Sequence, residues 1–198
     1  MARMPANRSP DVKCDRVSLD QLSVLKLVTH RLDAHAIPYM ATGSIAAGHY
    51  AQPRMTRDID LVIDLVPDDA ARVCEIFGDA FVCDPVAVRS AIERRALFNL
   101  IHTDAIVKVD FVVRKDTPYR QEEFRRRRLT TIDGQSIWIV SPEDLILSKL
   151  VWAKDSGSEL QLRDVRGLMA AQPNVDWAYM NRWAPELSVS AVLQELRP

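Results

Sequence analysis

The sequence predicts an α/β (α+β) protein: a mixed sheet flanked by helices, followed by a C-terminal helical annex. Three observations lead there. Short β-branched runs alternate with helix-period runs as far as residue 140, and from Ser141 onward only the helical period remains. The composition, 47% hydrophobic and 27% charged over 198 residues, is that of an ordinary soluble globular chain. At this length folding buries roughly 70% of the extended chain's surface, so neither metal nor disulfide staples are needed for stability. We divide the chain into a flexible polar tail at 1–17, an α/β domain at 18–140 and a helical subdomain at 141–198.

Each element has its signal. Ser18 and Gln21 stand at capping-box spacing, and Leu19, Leu22, Leu25, Val28 and Leu32 line one face of a helix over 19–35. Pro38 opens a strand at 39–42 that ends on Gly43-Ser44, and a short helix follows to residue 50. A polar loop leads to a strand at 58–65, and Pro67-Asp68-Asp69 starts a helix to about residue 77. A strand at 80–83 and a helix at 85–95 come next. The runs 97–102 and 105–113 read as a hairpin around Thr103-Asp104. Beyond a charged segment, Asp133-Gly134 turns a second hairpin, 129–132 with 135–140. Four helices, at about 142–155, 159–170, 174–183 and 186–196, complete the chain, and the four tryptophans read as core.

Composition also excludes. With 26 Lys and Arg against 27 Asp and Glu, the net charge is -1, so a generally basic protein that coats nucleic acid is not expected. Cys14, Cys74 and Cys83 form no C-x-x-C pair, so no zinc knuckle or disulfide framework is legible, and a reduced, cytoplasmic compartment fits. The opening residues lack the apolar stretch of a signal peptide, and no run is long enough to span a membrane.

The most informative stretch is Asp58-Ile59-Asp60-Leu61-Val62-Ile63. Strand side chains alternate, so Asp58 and Asp60 share one face while Ile59, Leu61 and Ile63 share the other. Like charges side by side on a strand repel, and a bridging divalent cation removes that penalty. A solvated acidic face is the plainer alternative. In Val107-Lys108-Val109-Asp110-Phe111-Val112-Val113 the odd positions are apolar, and Lys108 and Asp110 point the other way. If the two strands are neighbours, Asp110 joins Asp58 and Asp60 in a triad able to hold two metal ions for in-line attack on phosphorus. The competing reading pairs Asp110 with Lys108 or an arginine at the surface. Upstream, Gly43 allows close approach to a helix N-terminus that attracts phosphate, and the Ser44 hydroxyl can donate to it. Residues 43–50, GSIAAGHY, miss the P-loop pattern because His49 and Tyr50 stand where Lys and Ser/Thr are required.

Gly-Ser, a short helix, a basic loop and then T-R-D-I-D-L, with a later single Asp, resemble the nucleotidyltransferase superfamily that includes polymerase β. The likeness is greatest to abortive-infection (AbiEii-type) toxin nucleotidyltransferases and to lincosamide and aminoglycoside nucleotidyltransferases. The resemblance implies transfer of a nucleoside monophosphate from an NTP to a hydroxyl, with pyrophosphate leaving. It implies that Asp58 and Asp60 hold two Mg²⁺ ions, that Asp110 binds one while activating the acceptor, and that Gly43 and Ser44 hold the β- and γ-phosphates. Arg54 and Arg57, just before the motif, are further candidate phosphate contacts, and Lys108 is an accessory candidate.

In the annex, Ser141-Pro142 starts a helix that is apolar nearly all round, with Lys149 as the charge in its middle. A buried lysine needs an acceptor, and Asp164 on the next helix faces inward, so a structural ion pair is one reading. The S-K-L at 148–150 and L-R-D-V-R at 162–166 also resemble later toxin motifs, which implies a nucleotide-phosphate contact for Lys149 and a place near the site for Asp164. The basic run Arg114, Lys115, Arg120 and Arg125 to Arg128 either forms a solvated face or lines the cleft and meets triphosphate or RNA. The expected acceptors are tRNA or protein, as a toxin with an antitoxin partner. A small-molecule antibiotic acceptor and a catalytically silent nucleotide- or partner-binding module are the alternatives. No membrane partner is expected.

Overall fold

The computed structural model describes residues 21–52 and 58–197. The predicted tail at 1–17, the Ser18 cap, Arg54 and Arg57 lie outside the described residues. Helix α1 (Gln21–Ala34) buries Val24, Leu25, Val28 and Leu32, the stripe its period dictates. Strand β1 (Tyr39–Ala41) runs into α2 (Gly43–Tyr50), and β2 (Asp58–Ile63) returns antiparallel to β1. Helix α3 (Asp69–Phe77), the two-residue β3 (Phe81–Val82) and α4 (Pro85–Arg94) follow. The hairpin β4 (Leu97–His102) and β5 (Lys108–Val113) comes next, its second strand starting three residues later than expected.

The charged segment hides a helix, α5 (Pro118–Arg125), begun by an N1 proline and seated on the buried Tyr119 and Phe124. Strands β6 (Arg128–Ile132) and β7 (Gln135–Ile139) turn at Asp133-Gly134 as predicted. Helices α6 (Pro142–Ser156), α7 (Glu159–Ala171), α8 (Trp177–Trp183) and α9 (Ser190–Glu195) complete the chain. The sheet has seven strands in the order β3-β4-β5-β2-β1-β7-β6. It is mixed, with β2–β5 and β1–β7 parallel and the other pairs antiparallel.

One sheet face packs on α1, α3 and α4 through Ile59, Leu61, Ile63, Val109 and Phe111. A second core gathers Met40, Ala46, Ala47 and Ile139 with Leu145, Ile146, Leu150, Val165 and Leu168 of the C-terminal helices. Ser141 caps α6 by accepting from the Asp144 amide, and Gly157 closes it in the left-handed region at φ 65°.

Two expectations are corrected. Cys74 and Cys83 are disulfide-bonded, their Cα atoms 5.7 Å apart. Helix α3 and strand β3 fold back on one another, an encounter that no sequence spacing announces. Cysteine usage therefore no longer argues for a reducing compartment. Trp152 is not core: it is 62% exposed, because the otherwise apolar α6 turns that position towards a cleft. Trp138, Trp177 and Trp183 are half-buried against the cores. No described helix is long and apolar enough to cross a membrane.

Candidate active site

Strands β2 and β5 lie side by side in parallel, with Asp60 opposite Asp110 and Asp58 opposite Lys108. Neighbouring strands are about 4.8 Å apart, so the three acidic side chains emerge together on the face away from the first core. Asp58 is exposed, Asp60 half-buried and Asp110 only 8% exposed. Burial, then the charges of Asp110 and Asp58, push the Asp60 carboxyl above the usual carboxylate range. Lys149 and the Ser44 amide pull it back down.

The turn between β1 and α2 closes over this pair. The Thr42 amide donates to the Asp60 carbonyl at 2.9 Å, which fixes the turn against β2. Gly43 has φ +57°, and a Cβ placed there would lie 2.0 Å from Asp60 Oδ2. Glycine is thus required twice, for the backbone angle and for the carboxylate's seat. Ser44 begins α2 beside it. Its hydroxyl and Asp110 Oδ1 are both buried without a hydrogen-bond partner. Orphaned buried polar atoms are atypical of a finished interior.

Lys108 lies within this cluster. Its ammonium is 2.8 Å from Asp110 Oδ2 and 3.8 Å from Asp58 Oδ2, so the surface ion pair anticipated as an alternative does form. That bond leaves Asp110 Oδ1 unengaged. The donor set of hard carboxylate oxygens fits Mg²⁺, which takes one or two carboxylates and completes its shell with water and phosphate. Among the described residues no three His, Cys, Asp or Glu side chains form a ready-made cage.

No protein-family model matches the chain, and no curated protein matches it in sequence. Solved structures match it in fold. A nucleotidyltransferase-like antigenic protein from Paracoccidioides brasiliensis superposes with a TM-score of 0.53 at 20% identity, over 87% of this chain and 92% of its own. The antibiotic-resistance factor ANT(2'')-Ia gives 0.55 at 13% identity, over 88% and 95%. The lincosamide antibiotic adenylyltransferase LnuA, solved with lincomycin, gives 0.50 at 14%, over 74% and 95%. The fold is that of the nucleotidyltransferases.

Within this nucleotidyltransferase fold the annex reaches the site through Lys149. Lys149 is 4% exposed, and its ammonium meets Asp164 Oδ2 at 2.7 Å and Gln161 Oε1 at 3.0 Å. The expected pair with Asp164 is present, and Lys149 is also near enough to act on Asp60. Gln161 was not foreseen; it lies one turn before Asp164 on α7, a spacing that becomes informative only once the two helices are known to face each other. Between the end of α2 and α7, a cavity of about 570 Å³ borders Asp164, Arg163 and Gln52.

The basic run is largely engaged within the protein. Arg114 pairs with Asp64 and Asp116, Arg125 with Glu122, and Arg126 and Arg128 with Glu143. Arg120 pairs with the buried Glu123, and Arg127 stacks over Phe124 and Trp138. The sequence reading missed Glu143 and Asp144 as buried acids, because both also suit the first turn of any helix.

Proposed function

We propose that the protein is a metal-dependent nucleotidyltransferase, transferring a nucleoside monophosphate from an NTP to an acceptor hydroxyl. The observation that carries this reading is the Asp60–Asp110 register beside Gly43-Ser44, with Ser44 Oγ and Asp110 Oδ1 buried and unpartnered. The acceptor oxygen bonds to the α-phosphorus, the bond from that phosphorus to the bridging oxygen breaks, and pyrophosphate leaves. Two Mg²⁺ ions, held by Asp58, Asp60 and Asp110, would neutralise charge on the phosphates and on the attacking and leaving oxygens.

The chain's own residues do the remainder. Ser44 and the α2 amides hold the β- and γ-phosphates, aided by the helix N-terminus. Lys149, fixed by Asp164 and Gln161, adds a positive charge beside Asp60. Asp110 Oδ1 receives the acceptor's proton. Arg57 is proposed as a further phosphate contact. Lys108 stands in as a counter-ion that the metal displaces. Catalysis is then mainly positioning and charge stabilisation. An NTP donor places the work in the cytoplasm.

The acceptor readings divide. tRNA or protein, in a toxin held by an antitoxin, is one. A small molecule is the other, and two observations favour it: the arginines that would track an RNA backbone are engaged internally, and of the superposed proteins ANT(2'')-Ia is an antibiotic-resistance factor and LnuA a lincosamide antibiotic adenylyltransferase that binds lincomycin. Thermal stability with Mg²⁺-NTP tests the donor; a rise in Tm that vanishes in Asp60→Asn is expected, and no response to any NTP ends the proposal in favour of a silent module. Labelled NTP offered to total RNA, lysate protein and aminoglycosides sorts the acceptors by the fraction that takes up label.

A further inference from the structure

Beyond the carboxylates, the sheet face opens into a cavity of about 290 Å³ walled by α5 and α6. Its floor is Val62 and Val112, themselves a register pair, two residues past Asp60 and Asp110 on the same face. At 3.3–3.4 Å per residue the floor lies about 7 Å beyond the carboxylates. Thr42, the residue before Gly43, forms part of the near wall. The cavity thus neighbours the place proposed for the α-phosphate.

Its chemistry is that of a slot for an uncharged ring. Val62, Val112 and Val151 supply apolar walls, and the Trp152 indole, 62% exposed, stands at the rim. Its two arginines and Glu123 already have partners, and Lys115 adds a further cation to the lining. Arg120 donates to both Glu123 oxygens at 2.8 and 2.9 Å and to Ser148 Oγ at 2.8 Å, and Ser148 donates to Glu123 Oε1 at 2.7 Å. Arg114 is held by Asp64 and Asp116. A second phosphate would meet only Lys115, the arginines being engaged, whereas a planar ring finds a stacking face and a polar edge of carboxylate, hydroxyl and guanidinium. The volume, at the lower end for ligand sites, suits one ring system. Trp152 also shares a helix with Lys149, three residues back, so one element faces both the phosphate side and this slot.

We propose that this cavity is the base-recognition site for the donor NTP, with the nucleobase stacked on Trp152 and its edge read by Glu123 and Ser148. This rests on the nucleotidyltransferase reading and adds to it the residues that select the donor. The stacking face acts on the ring alone, so it distinguishes a nucleotide from a bare polyphosphate.

Calorimetric titration of the full chain with Mg²⁺-NTP and with Mg²⁺-tripolyphosphate tests it. Trp152→Ala should weaken NTP binding roughly five- to hundredfold, the range for loss of one base–aromatic stack, and leave tripolyphosphate binding unchanged. Trp152→Phe should restore most of the loss, and an unchanged Tm is expected because the side chain is largely outside the core. NTP affinity equal to wild type in Trp152→Ala overturns the base site while nucleotidyl transfer stands. A loss confined to the acceptor's KM overturns it in favour of an acceptor ring. Failure of the wild type to bind either ligand removes this proposal together with the reading beneath it.

Discussion

Two groups of buried acids in this protein differ in how completely they are satisfied. At the start of α6, Asp144 is fully buried and accepts from the Ser141 hydroxyl, the Tyr179 hydroxyl at 2.6 Å and Arg126 Nε at 3.2 Å. Its neighbour Glu143 takes Arg126, Arg128 and the Asp176 amide. On the β2–β5 face, Asp110 has one oxygen on Lys108 and the other on nothing, and Asp60 sits between two further carboxylates. The first group ties α5, α6 and α8 into one body. The second holds like charges together at a cost to the fold, which is the arrangement expected where a cationic ligand completes the set. Burial alone does not separate scaffold from site; the inventory of partners does.

The largest effect that would break this comparison is on chemistry. Asp60→Asn or Asp110→Asn should lower transfer of label from NTP by about 10²–10⁴-fold or more, measured in single-turnover reactions. Asp60→Asn should at the same time raise the Tm of the metal-free protein. The sign follows from the raised carboxyl: its ionisation opposes folding, a cost absent below the unfolded value of 3.8 and complete above the folded one. The advantage of Asp60→Asn should therefore grow as pH climbs out of the acid range and then level off. An unchanged or lower Tm at neutral pH would mean that the carboxylates do not strain the fold.

Asp144→Ala should do the reverse. Removing one partner of a buried pair costs about 3–5 kcal/mol, read as a shift in the urea midpoint, while activity per folded molecule stays near wild type. Gly43→Ala should be intermediate on both scales. The left-handed backbone costs about 1–2 kcal/mol, and displacement of Asp60 by the new methyl group lowers turnover more than it lowers Tm. The smallest effect is expected at Lys108, which is 39% exposed. Lys108→Met should cost less than about 1 kcal/mol without metal and tighten Mg²⁺ binding in calorimetry. Weaker Mg²⁺ binding would show that the ammonium assists the cation instead of standing in for it.

Much of this was legible from alternation. The faces of 58–63 and of 107–113 followed from strand period alone, and Gly43-Ser44 from its place between a strand and a helix. The register that sets Asp60 against Asp110 was not legible, since the two strands are far apart in sequence and nothing local encodes their pairing. Helix α5 was hidden because five of its eight residues, Arg120 to Glu123 and Arg125, are charged or polar, and only Pro118, Tyr119 and Phe124 signal burial. Trp152 read as core because the helix around it is apolar nearly all round, so the sequence marks no outward face. The Cys74–Cys83 bond arises from a fold-back of α3 on β3 that spacing does not reveal.

Only Val140 and Ser141 separate the end of β7 from the start of α6. With so short a joint, the phase of the helix is geared to the twist of the sheet. One residue inserted there would rotate α6 by about 100° and swing Lys149 and Trp152 out of the cleft together. Exchanging a single side chain along this helix leaves its phase intact, whereas a change in the length of that joint would move both residues at a single stroke.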